Sequence, residues 1–345
     1  MKRSLHPIVY PLAGLALILL FNALFSPGFF AIEVRDGQLF GSLVDILNRA
    51  TPVLLLSLGM TLVIATGGID LSVGAVMAIA GAFAAVLIVA MQSLPFFWLL
   101  ADGSVLVVVL TALVITVALV VGVVCGLFNG VLIGKFGVQP IVATLILMVA
   151  GRGIAQLVTK GQIVRFDAPS FNQLGTGSAF GLPMPFVIFL VSLLIVVLVV
   201  RKTALGMFIE AVGSNAEAAR LSGVASGSVK IAVYALCGLV AGIAGVIACA
   251  DIQAADVNNT GLYLELDAIL AVSLGGTLLS GGRFSIAGSV VGAILMQALT
   301  TTILTLGVSL PATLVAKALI IIAVILLQSP QFRKSVGLEK RVPAP

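Results

Sequence analysis

Apolar runs about as long as a bilayer is thick recur from one end of this chain to the other, and they decide what it can become. They lie near residues 8–25, 49–66, 71–91, 104–133, 138–159, 184–200, 229–250, 265–279, 285–306 and 312–328, separated by polar or Gly/Pro punctuation. A helix needs about 20 apolar residues to cross the hydrocarbon core, where every backbone N–H and C=O must find a partner within the protein. The pattern therefore predicts an all-α polytopic membrane protein of about ten transmembrane helices. At 345 residues it leaves room for one transmembrane domain over 1–345 and no separate soluble unit. Only 9% of residues are charged, against about 25% in soluble domains, which excludes a water-soluble globule. Cys125, Cys237 and Cys249 all sit in apolar runs, so they read as small packing residues rather than a disulfide framework or a thiolate metal site.

Charge placement predicts the orientation. With the N-terminus inside, the inner segments carry Lys2, Arg3, Lys135, Arg201, Lys202, Arg220, Lys230, Arg283, Arg333, Lys334, Lys340 and Arg341. The outer segments carry Arg35, Arg49, Lys160 and Arg165, while Arg152 and Lys317 fall inside spans. That split obeys the positive-inside rule and puts both the N- and C-termini in the cytoplasm. The first run lacks a small-residue cleavage site after Ala23, so it reads as an uncleaved anchor.

Small residues show how the spans pack. Gly122, Gly126, Gly130 and Gly134 form a stripe of one residue in four, and Gly238 and Gly242 repeat the spacing. Such faces let helix backbones approach closely in lipid, where hydrophobic attraction between helices is weak. Packing within the bundle is one reading and a subunit interface the other. An internal repeat is also visible: Ser57-Leu58-Gly59-Met60-Thr61-Leu62 returns as Ser273-Leu274-Gly275-Gly276-Thr277-Leu278. Each copy is followed by a glycine pair, Gly67-Gly68 or Gly281-Gly282, and by a glycine seven residues beyond the first of the pair, Gly74 or Gly288. Internal repeats of this kind are common in transport proteins.

Catalytic signatures are missing. The single histidine, His6, lies in the lead-in, and no zinc-protease helix, Cys-x-x-Cys pair or nucleophile elbow is present. The nearest approach to a phosphate loop, Gly134-Lys135, is followed by Phe136 and has Asn129 where the first glycine belongs. The expectation is no catalytic residue, no metal and no ATP hydrolysis by this chain. Ionisable groups at membrane depth are functional candidates by default: Arg152, Asp70, Lys317, Glu265 and Asp267. Each reads either as lining for a solute path or as half of an interhelical pair.

The longest inner segment, about 203–228, carries Gly213-Ser214-Asn215-Ala216-Glu217-Ala218-Ala219-Arg220-Leu221-Ser222-Gly223-Val224. Ser214 followed three residues later by Glu217 matches a capping box, and Gly223 supplies a stop. A helix of about two turns is too short to stand alone, so it docks on something.

This block resembles the cytoplasmic coupling loop of permease subunits of bacterial ABC-type monosaccharide importers, the ribose and galactofuranose class. The stretch Gly59–Gly74 (GMTLVIATGGIDLSVG) is similar to that family's most recognisable block, and Leu266-Asp267-Ala268-Ile269 with Gly275-Gly276-Thr277 and Gly281-Gly282 is a third match. The segments 36–48 and 251–266 look most like the galactofuranose-type permease. The resemblance implies a bacterial inner-membrane subunit working with a second permease subunit, cytoplasmic ATPase subunits and a periplasmic sugar-binding protein, in contact with lipid and not with nucleic acid. It also implies that this chain binds no cofactor, ATP and Mg being held by the ATPases. Gly213, Ser214, Asn215, Glu217, Ala218, Ala219, Ser222 and Gly223 would form the ATPase contact. Asp70, Asn129, Arg152 and Gln297 are the candidates for the translocation path. Trp98 is the only tryptophan and most aromatics are Phe, so no sugar-stacking platform is marked. An ion-driven secondary sugar transporter is the alternative, weakened by the lack of a carboxylate placed at mid-span.

Overall fold

The computed structural model describes residues 8–35, 38–93, 105–309, 312–315, 317–319, 322 and 326. Lys2, Arg3, His6, Trp98, Arg333, Lys334, Lys340, Arg341 and much of the tenth apolar run lie outside them. Among the described residues twelve helices can be bounded, in order α1 (Val9–Phe25), α2 (Ser42–Ala65), α3 (Val73–Gln92), α4 (Val105–Gly134), α5 (Pro140–Val158), α6 (Pro169–Thr176), α7 (Met184–Lys202), α8 (Leu205–Ser214), α9 (Ala216–Leu221), α10 (Ser226–Ile252), α11 (Leu264–Leu274) and α12 (Ile286–Thr305). Seven of them, α2, α3, α4, α5, α7, α10 and α12, are long and apolar enough to cross a membrane. Three short antiparallel ribbons, 33–35 with 38–40, 164–165 with 254–255 and 178–179 with 182–183, close loops at one end of the bundle.

The eighth apolar run departs from expectation. Instead of a span over 265–279, α11 stops at Leu274 after 11 residues, because Gly276 takes φ +89°, a left-handed backbone that a continuing helix does not contain. Likewise α2 begins at Ser42, seven residues before its apolar run, its first two turns alternating buried Val44 and Ile46 with exposed Asp45.

At the centre lies α2, whose residues from Val53 to Ala65 are all buried, packed between α10, α11 and α12. By contrast α4, α5 and α7 turn apolar side chains outward, among them Val149, Leu157 and Leu194. In water such surfaces are a liability, whereas against lipid tails they cost nothing. The glycine stripe resolves as packing within the chain. Gly122, Gly126 and Gly134 lie so close to α10 that a Cβ on each would fall 2.5, 2.2 and 2.4 Å from the carbonyl oxygens of Gly238, Tyr234 and Gly227. Backbone therefore meets backbone along the whole α4–α10 contact.

Two sets of loops mark the ends of the bundle. One end carries α8, α9 and, among the described residues, Lys135, Arg201, Lys202, Arg220, Lys230 and Arg283; the other carries the ribbons with Arg35, Arg49, Lys160 and Arg165.

A candidate coupling surface and an unwound seam

The α8–α9 pair is built by a cap, but not the expected one. Asn215 takes an extended backbone (φ −162°, ψ 102°) and its Oδ1 accepts from the amides of Glu217 (3.1 Å) and Ala218 (2.9 Å). Ser214 instead remains the last residue of α8, where its Oγ donates to the Glu210 carbonyl. The capping box is therefore replaced by an Asn cap, since only the residue that leaves helical geometry can turn its side chain onto the next turn's amides. Freed from capping, Glu217 pairs with Arg220 (2.6 Å) on the exposed face. The Arg220 hydrogen bond and charge hold the Glu217 carboxyl below its ordinary range, and Glu217 in turn raises Arg220. Gly223 ends α9 at φ +87°, with the Val224 amide donating to Ala219 O and the Gly223 amide to Arg220 O, the paired bonds of a Schellman stop.

Exposure divides the predicted coupling residues. Ser214, Asn215, Glu217, Ala218, Ser222 and Gly223 are exposed, together with Leu221, which is 78% exposed. Ala219 is buried and seats α9 on the bundle. Gly213 turns inward: a Cβ there would lie 1.7 Å from Ala65 O and 2.5 Å from Gly282 N. The same two atoms are hydrogen-bonded to each other, the Gly282 amide donating to the Ala65 carbonyl at 2.9 Å. Gly213 therefore locks α8 onto the point where the loop after α2 and the loop before α12 meet.

Both loops are breaks between helices, and each carries the glycine pair of one copy of the sequence repeat, Gly67-Gly68 or Gly281-Gly282. In the first, α2 ends at Ala65 and Gly67 takes φ +79° before the chain runs without helix to Ser72. This stretch is inside the bundle: Ile69 faces Tyr234 of α10, eight residues or about 12 Å along that helix, at 1.5 Å per residue. Its bare carbonyl is met there, Ile69 O accepting from Tyr234 Oη and Thr144 Oγ1, each at 3.4 Å. Irregular backbone at such depth survives only where the protein supplies these partners. In the second, 275–285 links α11 to α12, with Ser285 Oγ capping α12 at the Gly288 amide. Helices α2 and α12 are joined beside the breaks by Thr61 Oγ1 donating to Ser289 Oγ at 2.7 Å. Ser57–Leu62 lies within α2, whereas Ser273–Leu278 crosses the end of α11, so the repeated letters do not repeat one conformation.

Asp70 sits in the first break, 2% exposed. Its Oδ1 accepts from the Ser72 amide (2.9 Å) and Ser72 Oγ (2.6 Å), and Ser72 Oγ accepts from Asn129 Nδ2 at 2.8 Å. Two predicted path residues are thus joined through a third, Ser72, that sequence reasoning missed; the Asp-x-Ser spacing was its only signal. Asn129 Oδ1 remains buried without a partner. Arg152 stands apart, its Nη1 donating to the carbonyls of Val257 (3.1 Å) and Thr260 (2.6 Å), and so it braces the loop before α11. Gln297 also stands apart, lining a cavity at the end of the bundle opposite α8–α9. Lys317 and Asp267 form an ion pair at 2.7 Å, largely shielded from solvent, which ties α11 to the last described helical residues. Among the described residues, no group of three His, Cys, Asp or Glu is placed to hold a metal ion.

Comparison with known proteins adds an independent finding. A family described as "Branched-chain amino acid transport system / permease component" is matched over residues 42–327. The galactofuranose transporter permease protein YtfT of Escherichia coli (strain K12) is 51% identical over 332 residues, 96% of this chain and 92% of that protein. The fructose import permease protein FruF of Bifidobacterium longum is 39% identical over 97% of this chain and 91% of its own. The ribose import permease protein RbsC of E. coli (strain K12) is 36% identical over 92% of each. No solved structure matches the chain.

Proposed function

The chain belongs to the branched-chain amino acid transport system / permease component family, and from that membership we propose that it is the multi-pass inner-membrane permease of an ATP-binding-cassette importer for a monosaccharide. The family description speaks of amino acids, but relatives matched over more than nine-tenths of the chain are sugar permeases, among them a galactofuranose permease at 51% identity. That likeness is the observation that carries the reading. The partners follow from it: ATPase subunits in the cytoplasm, a second permease subunit of the same or a related kind, and a periplasmic sugar-binding protein. In this reading the chain crosses the membrane about ten times, with both termini and the basic end of the bundle in the cytoplasm, as the positive-inside rule directs.

Energy enters through α8–α9. The exposed face of Glu217, Ala218, Arg220 and Leu221 meets an ATPase subunit, which closes on binding ATP and displaces the helix pair. Because Gly213 is locked against Ala65 O and Gly282 N, that displacement reaches both helix breaks together. The breaks are where the bundle yields most readily, since short unwound backbone held by a few long hydrogen bonds reorganises at less cost than a continuous helix. Switching between outward and inward access is thereby driven from outside the membrane.

The test is uptake by the assembled importer in proteoliposomes, with labelled D-galactose (whose furanose form is present in solution), D-ribose, D-fructose and leucine as alternative solutes. One sugar is taken up only with ATP present and regardless of a proton gradient. Uptake of leucine alone, or uptake that follows the proton gradient without ATP, overturns the reading.

A further inference from the structure

At the end of the bundle opposite α8–α9, the beginnings of α2 and α7, the ends of α10 and α12 and the loop 256–261 surround a cavity of about 510 Å³. This is within the range of small-molecule sites, about 300–1,000 Å³. Its wall combines apolar surface from Met77 and Ile247 with the side chains of Asn48, Arg49, Asp251 and Gln297. Asn48, Arg49 and Asp251 make no side-chain hydrogen bond to another described residue, although the charges of Arg49 and Asp251 interact. Gln297 donates to Thr301 Oγ1 at 3.3 Å and keeps its amide oxygen free. The loop wall is held in place, braced from α5 by Arg152 and folded on itself where Asp256 accepts from the amides of Asn258 and Asn259.

A neutral polyol fits this inventory. Each sugar hydroxyl is both donor and acceptor, so it is satisfied by a wall that offers free donors and free acceptors side by side, and the C–H face of the ring asks for an apolar floor. Acid and base stand together here, Asp251 beside Arg49, while the wall's second carboxylate, Asp256, is spent on the amides of Asn258 and Asn259 and on Asn259 Nδ2; such a wall disfavours a simple anion. We propose that this cavity is a sugar-receiving site within the subunit, in which Asp251 and the Gln297 carbonyl accept from sugar hydroxyls, Arg49 and Asn48 donate to them, and the ring rests on Met77 and Ile247. The proposal rests on the importer reading and adds to it a place, facing the delivering protein, where the ligand waits before the seam opens.

The test uses the assembled importer in membrane vesicles, with Leu304→Cys at the cavity rim as a reporter for a membrane-impermeant maleimide. The sugar that the wild-type assembly takes up slows labelling of this cysteine, and leucine does not. Combining the reporter with Asp251→Asn or Gln297→Leu removes the protection. Each substitution without the reporter lowers uptake about tenfold, the size of one lost hydrogen bond to a charged or buried group, while ATP hydrolysis continues. Asp251 is exposed, so its replacement leaves the fold intact, and an unchanged melting temperature verifies this. Asn48→Ala read in the same way guards against a folding defect in the Gln297 variant. The proposal is overturned if a transported sugar gives no protection, if leucine protects equally, or if the substitutions leave protection and uptake at wild-type level. Should wild-type assembly take up no sugar at all, the importer reading itself fails, which is a different outcome from uptake without protection.

Discussion

Replacing Gly213 by alanine tests the junction between the coupling helices and the seam. The added methyl would stand 1.7 Å from Ala65 O and 2.5 Å from Gly282 N. Both are backbone atoms, so no side chain can rotate away. To restore a separation of 3.0 Å from the oxygen, α8 and the end of α2 must part by at least 3.0 − 1.7 = 1.3 Å. Overpacking of this kind costs about 1–3 kcal/mol, against a total stability of about 5–15 kcal/mol. At about 2 °C per kcal/mol for a chain of this size, the detergent-solubilised subunit should melt about 2–6 °C lower than wild type, the two compared at one scan rate.

Gly153→Ala is the matched control. Gly153 lies within α5, and a methyl added there would meet nothing within 4 Å, so the change only improves helix propensity and leaves melting unchanged or slightly raised. In the assembled importer, Gly213→Ala should also hydrolyse ATP while moving less sugar per ATP, because the linkage and not the docking face has been altered. Equal melting of Gly213→Ala and wild type, with full uptake, refutes the role of Gly213 as the lock.

Three further outcomes follow from the same geometry. Ser72→Ala severs Asp70 from Asn129, leaving buried polar atoms without partners at about 1–3 kcal/mol, seen as a lower melting temperature. Arg152→Met keeps the apolar stem but removes Nη1, the one nitrogen that donates to both Val257 O and Thr260 O, so amide hydrogen exchange over 257–261 should quicken while exchange in α10 stays slow. Because the folded Glu217 carboxyl lies below its ordinary value of 4.5, the stabilisation from its pair with Arg220 is complete above that value and is lost only as pH falls through the depressed one. Sugar-coupled ATPase activity should therefore show no inflection from this pair between about pH 8 and pH 6, whereas Glu217→Gln removes the pair at every pH.

Much of the bundle is legible in the sequence because hydropathy reports bilayer thickness directly. The apolar run 184–200 corresponds to Met184–Lys202, and 138–159 to Pro140–Val158. Backbone breaks within apolar sequence are not legible: residues 275–279 stay apolar enough to read as helix, and only the positive φ at Gly276 ends α11. The cap of α9 is misread for a related reason. Ser214 and Asn215 both carry an oxygen that can accept from a following amide, and the choice between them rests on which backbone leaves the helix. Partners distant in sequence are the other gap. Asp70 and Asn129 stand out separately as polar residues in apolar surroundings, yet nothing in their spacing announces that Ser72 joins them. Gly213 is legible as part of a coupling block but not as its anchor, since close approach to Ala65 and Gly282 exists only once α2, α8 and the loop before α12 are assembled.

The ionisable groups at depth also bear on where the energy comes from. Lys317 is neutralised by Asp267, Arg152 is committed to two backbone carbonyls, and Asp70 is held by the amide and hydroxyl of Ser72, while Glu265 is buried with its Oε2 unpartnered among the described residues. An ion relay needs a buried group that exchanges its charge partner during the cycle, and Lys317, Arg152 and Asp70 are instead fastened to the scaffold that defines a break or a loop. What the bundle offers for movement is the pair of unwound segments, 66–72 and 275–285, which touch at Gly282 N and Ala65 O. Their meeting point lies against Gly213, at the end of α8 whose exposed neighbour α9 is free to dock. Force applied at that surface has a short, rigid route into the membrane, which is the arrangement expected of a subunit driven by a partner and not by its own titrating groups.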